Sequence, residues 1–228
     1  MKNKTSPGHI VSYQHLNTYE TLNAFQTVGH EESEIVKNVW FVFHGMGYLS
    51  KYFKKYFERL DPTNNYIIVP QAPSKYYQDK TFKYVGASWL TKETTSLDLE
   101  NVMRYIDAVW EAEKPKWKNK KIRLILMGYS QGVSIVTRWA SSRKINCDHL
   151  LLHSGAIPQE LTAKDFDFLS ADTPVTYLYG NKDEYITAAR KTEQQLKGNA
   201  LFDERLKVEV FDGVHEVYTP FLKKLAAG

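Results

Sequence analysis

Apolar residues in this chain fall into short unbroken blocks separated by segments of helical spacing. The blocks are NVWFVFHG (38–45), YIIVPQAP (66–73), KIRLILMG (121–128), HLLLHSG (149–155), PVTYLYG (174–180) and KVEVF (207–211). A strand half exposed to water alternates apolar and polar side chains, whereas a strand covered on both faces does not. These six blocks therefore predict buried strands. Between them, SKYFKKYFERLDP repeats Phe53, Tyr56, Phe57 and Leu60 at helical spacing, with Ser50 as cap and Pro62 as stop. SLDLENVMRYIDAVWEAEK gives the clearest helix, with a stripe of Leu99, Val102, Met103, Ile106, Val109 and Trp110 and with Ser96 as cap. QGVSIVTRWASSR, a segment near 185–198 and TPFLKKLAA read as three more helices. Residues 71–95 read as a long loop. Weak alternation over 8–28, broken at Asn17-Thr18, predicts a hairpin.

Strand and helix in alternation predict an α/β fold with a mostly parallel sheet covered on both faces. Its length of 228 residues, 43% of them hydrophobic, suits a single domain over 1–228, in which 1–35 form the N-terminal hairpin and connector. The net charge of +4 is small, and lysines stand among acids, as in Lys54, Lys55, Glu58 and Arg59. This reads as solvated surface and argues against nucleic acid as a partner. Cys147 is the only cysteine, so neither an intrachain disulfide nor a C-x-x-C metal site is available. The first residues, MKNKTSPGHIVSYQHLN, lack an apolar signal-peptide core, and no run approaches the roughly 20 apolar residues of a membrane span. A cytoplasmic protein is the expectation, with no metal and no cofactor.

Ligands of open α/β sheets bind beyond the carboxyl ends of the strands. There the chain places Gly128-Tyr129-Ser130-Gln131-Gly132, between a buried strand and a helix. A serine on such a sharp turn needs neighbours without a Cβ, and its hydroxyl then faces the cleft. The bland alternative is an ordinary strand-to-helix turn. The order serine, acid, histidine tests the two. Of seven histidines only His215, in FDGVHEVY, follows late in the chain, just past a strand. Asp183 stands three residues beyond Gly180 and is the acid favoured over its neighbour Glu184. Ser130, Asp183 and His215 are thus the predicted nucleophile, orienting acid and base. An oxyanion hole would combine the N–H of Gln131 with that of Met46 in HGMG, where Gly45 and Gly47 let the backbone approach substrate.

Together, VFHGMG, VPQAP, GASWL, GYSQG, LLHSGAIP, YGNKDEYI and GVHEV resemble the α/β-hydrolase superfamily. Within it they are most similar to the phospholipase/carboxylesterase group that includes acyl-protein thioesterases. The resemblance implies the α/β-hydrolase fold without a large cap domain, the same triad and the same two oxyanion donors. It also implies that Trp89, in GASWL, lines the substrate groove. The chain departs from the group at Val133, Tyr48, Tyr179 and Leu90-Thr91. The expected activity is hydrolysis of a small-molecule carboxylic ester or thioester of short to medium acyl chain, through an acyl-enzyme. The alternatives are a non-catalytic ligand-binding module on the same scaffold, or a peptidase or lipase using the same triad.

Overall fold

The structure, a computed structural model, describes residues 17–22, 36–118 and 120–228. The six apolar blocks form strands β2 (Asn38–Phe43), β3 (Asn65–Pro70), β6 (Arg123–Tyr129), β7 (His149–His153), β8 (Val175–Gly180) and β9 (Leu206–Phe211). They join β1 (Tyr19–Leu22) in a seven-stranded sheet of order β1-β3-β2-β6-β7-β8-β9. Within it, β1 runs antiparallel to its neighbour and the other pairs are parallel. From β2 the chain passes to β3 on one side and later to β6 on the other. The crevice between the carboxyl ends of β2 and β6 is therefore the point where strand order reverses, the site at which such sheets bind ligands.

Both faces of the sheet are covered, which is why the strands are unbroken apolar runs. On β2, Val39, Phe41 and Phe43 enter one core with Trp110 of helix α2 (Thr95–Glu113) and Trp139 of α3 (Gln131–Arg143). Trp40 and Val42 enter the opposite core with Phe53 of α1 (Ser50–Phe53) and Leu222 of α5 (Thr219–Ala227). Helix α4 (Ala188–Phe202) packs beside β9. Close packing of α3 on β2 depends on Gly132, because a Cβ there would lie 2.1 Å from the Phe43 carbonyl oxygen.

Several local expectations are corrected. The helix over SKYFKKYFERL is one α-turn followed by a 3-10 turn, Lys54–Phe57, although Phe53, Phe57 and Leu60 are buried as its spacing requires. Ser50 does not cap it; its N–H and Oγ both donate to Gln71 Oε1, at 2.9 and 3.0 Å. Ser96 lies inside α2, and the cap position falls to Thr94 at φ 46°, with no side-chain cap. The 71–95 loop contains an antiparallel hairpin, β4 (Ser74–Tyr77) and β5 (Val85–Ser88). Of the N-terminal hairpin, β1 pairs with β3, and the remainder lies outside the described residues. The β1 edge is tied down by a buried carboxylate: Glu113 accepts from Tyr19 Oη at 2.7 Å, Tyr66 Oη at 2.6 Å and Lys116 Nζ at 2.9 Å.

Among the described residues, three histidines are interior. His149 meets Thr176 Oγ1 at 3.0 Å, and His153 Nε2 accepts from the Tyr218 N–H at 2.9 Å. Burial pushes His44 and His149 down to about 4 and His153 to about 3, from an ordinary 6.5, with Arg123 and Lys207 adding to the effect at His149 and His215 at His153. Between those values and 6.5 the unfolded chain holds more protons than the folded one, so stability rises with pH. It is complete above about 6.5 and is lost progressively as pH falls toward 4. The urea midpoint is therefore expected to be lower at pH 5 than at pH 7.5; equal midpoints would contradict the neutral interior histidines. A second expectation concerns packing. Gly132→Ala should lower stability by about 1–3 kcal/mol, as overpacking against backbone does, and an unshifted urea midpoint would contradict the close approach of α3 to β2.

Candidate active site

The turn between β6 and α3 holds Ser130 at φ 53° and ψ −119°, a conformation L-residues rarely occupy. Gly128 and Gly132 make it sterically possible, since a Cβ on Gly128 would lie 2.4 Å from the Gly132 carbonyl oxygen. The Ser130 N–H donates to the His153 carbonyl at 2.8 Å, fixing the turn to the neighbouring strand. The hydroxyl oxygen lies 3.0 Å from His215 Nε2, and His215 Nδ1 lies 2.8 Å from Asp183 Oδ2. Three side chains predicted from separate strand ends thus form one continuous hydrogen-bonded line. Asp183 is 5% exposed. Its second oxygen, Oδ1, accepts from the backbone N–H of Tyr185 at 2.9 Å and of Ile186 at 3.2 Å. Those donors satisfy this buried oxygen where water cannot reach it. Glu184, the alternative acid, takes no part in the line.

The imidazole of His215 sits between two tyrosines. Tyr129 lies beneath it with ring centroids 5.2 Å apart, and Tyr185 flanks it at 4.7 Å. Tyr129 is buried with its hydroxyl unpartnered among the described residues, and burial raises its ionisation well above the phenol range. Tyr185 is exposed at the mouth of the site.

After β2 comes the turn His44-Gly45-Met46-Gly47. Gly45 abuts Ser130 so closely that a Cβ would lie 2.9 Å from Ser130 Cβ. Gly47 adopts φ 88°, and its N–H is used by the Ala87 carbonyl at 2.8 Å. The N–H groups of Met46 and Gln131 have no partner among the described residues. His44 sets the turn's orientation. Its Nδ1 donates to the Gly45 carbonyl at 2.8 Å, while Nε2 accepts from the Ala72 N–H at 3.1 Å, which fixes the tautomer. The Gly45 carbonyl and the Met46 N–H belong to one rigid trans peptide plane. Holding the carbonyl therefore aims the N–H at the opposite end.

Trp89 stands elsewhere than expected. It is 1% exposed, beneath the turn rather than on an open wall, and its Nε1 donates to the His44 carbonyl at 2.8 Å. The Gln131 side chain clamps the same segment: Oε1 accepts from the Trp89 N–H at 2.8 Å, and Nε2 donates to the Leu90 carbonyl at 2.8 Å. Sequence pattern alone did not reveal the roles of His44, Tyr185 and the Gln131 side chain. His44 was legible in principle, as a histidine directly before the glycine of a strand-end turn. Tyr185 left no signal beyond its closeness to Asp183.

No curated protein matches the chain by sequence comparison. Solved structures of the same fold do. Acyl-protein thioesterase 2 from Zea mays aligns with TM-score 0.62 at 15% identity, covering 93% of this chain and 97% of that one. A phospholipase/carboxylesterase from Dyadobacter fermentans aligns with TM-score 0.63 at 16% identity, covering 95% and 99%. A carboxylesterase from Bacillus cereus aligns with TM-score 0.62 at 12% identity, covering 93% and 92%. At such identities the likeness speaks for the α/β-hydrolase fold. The sequence itself matches the Phospholipase/Carboxylesterase family model over residues 25–227, and the chain belongs to that family.

Proposed function

We propose that this family member is a serine esterase or thioesterase working through an acyl-enzyme on small-molecule substrates. The unbroken line from Ser130 through His215 to Asp183, at 3.0 and 2.8 Å, carries the reading. A serine hydroxyl is a weak nucleophile until a base takes its proton. His215 Nε2 accepts that proton as Ser130 Oγ bonds to the acyl carbon. Asp183 holds the Nδ1–H tautomer that leaves Nε2 free to accept, and stabilises the imidazolium that forms. The carbonyl oxygen becomes an oxyanion, which the N–H groups of Met46 and Gln131 receive. The imidazolium then protonates the departing alcohol or thiol. Water, activated by the same base, attacks the acyl-enzyme, and the acid product leaves.

Acyl preference follows from what surrounds the crevice. The connection between β7 and β8 holds one short 3-10 turn, Ala163–Phe166, and no inserted cap. The β4–β5 hairpin offers exposed Tyr76, Tyr77, Phe82 and Tyr84. Such a wall rewards each buried methylene with about 0.8 kcal/mol only as far as it extends. Short to medium acyl groups are the substrates that match an open, bounded groove.

Ser130→Ala should abolish labelling by a fluorophosphonate probe and remove most turnover of p-nitrophenyl butyrate, with folding intact by circular dichroism. Near-normal turnover in that variant would overturn the nucleophile. His44→Ala should lower kcat by roughly tenfold or more with little change in KM, the signature of weakened oxyanion donors rather than weakened binding. A change in KM alone would assign His44 to substrate binding instead. Across p-nitrophenyl esters from acetate to palmitate, kcat/KM should peak at short or medium chains and show no jump at micelle formation. A rate that climbs to palmitate would identify a lipase.

A further inference from the structure

The basic residues of this chain are less evenly spread than the Lys54–Arg59 stretch suggests. From Lys114 to Arg123 the sequence reads KPKWKNKKIR, with six cations in ten residues and no acid. The fold brings this run against the end of α3, where Arg143 and Lys144 stand. Between them lies a groove of about 420 Å³. Its rim carries Lys114, Lys118, Lys120, Arg143 and Lys144, and no carboxylate among the described residues lines it. Its floor is apolar, with the mostly buried rings of Trp110 and Trp117 packed edge to face, centroids 5.9 Å apart.

A simpler explanation is that these cations only complement helix ends. Both α2 and α3 terminate here, and a helix C-terminus carries about half a negative charge. The magnitudes decide against it. The two ends supply about one negative charge together. Asp107 adds one more, held by Arg143 at 2.9 Å, and Asp165 a third, near Lys144. Against these stand four cations before Lys120 is counted. Lys116, also in the run, is already committed to Glu113 at 2.9 Å and adds nothing to the rim. Lys144 reaches the Asp165 carbonyl at 3.4 Å and the Phe168 ring, and Lys114 lies over the Trp110 ring. The ring contacts orient the ammonium groups without cancelling their charge, while the Asp165 carboxylate offsets part of that of Lys144.

We infer that this groove binds a compact polyanion bearing several phosphate groups. The described lining holds no acid, so the cations inside the groove meet a ligand's phosphates rather than a protein carboxylate. Lysines suit phosphate as movable point charges, and Arg143 adds a planar fork. A concave groove with its indoles recessed fits a headgroup-sized ligand better than a flat lipid surface or an extended strand. The groove lies at the far end of the sheet from the chemistry. Helix α3 begins beside Ser130 and ends at Arg143, which places its two ends roughly 20 Å apart at 1.5 Å per residue. Binding there is distinct from the proposed ester site and does not depend on it.

The test titrates sodium tripolyphosphate into the full chain at low salt by calorimetry. Saturable one-site binding is expected. The triple variant Lys114→Gln, Lys118→Gln, Lys144→Gln should bind at least about tenfold more weakly, with ester turnover and circular dichroism unchanged. Two further arms separate the sources of the phosphate. Flotation with phosphatidylcholine vesicles containing phosphatidylinositol bisphosphate, lost in the triple variant, would assign the ligand to a lipid headgroup. Tripolyphosphate binding without flotation would assign it to a free polyphosphate. Absence of saturable tripolyphosphate binding, or equal binding by the variant, would overturn the inference. So would variant-sensitive binding of a single-stranded oligonucleotide in place of tripolyphosphate.

Discussion

Everything at the active end of this molecule depends on one strained residue. Ser130 is held at positive φ between a strand and a helix, a conformation costing about 1–3 kcal/mol. The surroundings over-determine it. Gly128 and Gly132 let strand and helix approach, the His153 carbonyl takes the Ser130 N–H, and Gly45 closes on the side chain from the next turn. Packing of the apolar blocks supplies the stability that offsets the strain. The hydroxyl is thereby presented at the reversal point of the sheet, where the turn after β2 lies on one side and the loops after β8 and β9 bring Asp183 and His215 from the other.

The sheet was legible in the sequence because a strand covered on both faces must be apolar throughout. NVWFVF and RLILM could have been little else at their length and with their β-branched and aromatic content. The hydrogen-bonded line of Ser130, His215 and Asp183 was legible because strand-end turns in such a sheet are few and the order serine, acid, histidine narrows them further. The exact extents of short helices were not. SKYFKKYFERL has helical spacing, yet it tightens to a 3-10 turn once Ser50 is drawn to Gln71 across the turn. The β4–β5 hairpin was missed because β4 is exposed throughout and β5 buries Gly86, Ala87 and Ser88 in succession, so neither strand shows a pattern of period two.

Trp89 departs from what the family resemblance implied. In place of a wall of the substrate groove, this tryptophan is buried with its indole N–H under the turn after β2. It shares that turn with His44, which grips the Gly45 carbonyl from the side, and with Gln131, which ties the Trp89 backbone to the nucleophile helix. None of these three contacts is written in a local motif, since two join segments 45 and 42 residues apart and the third links His44 to the next residue. Their effect is to make Met46, in the turn after β2, and Gln131, at the start of α3, parts of one hydrogen-bonded frame.

That frame makes the β4–β5 hairpin a cantilever. Its root is fixed by the Gly47–Ala87 bond, the Gln131 clamp and the Trp89 indole, and its free end carries exposed tyrosines and Phe82. The free end is not independent of that root, because Gln78, just past β4, donates from Nε2 to the Gly47 carbonyl at 2.8 Å. Rebuilding the ribbon beyond that residue changes what rests above the crevice, while a change at Gln78 itself reaches the turn after β2. On the proposed function, substrate choice and rate are therefore set by neighbouring parts of one short ribbon.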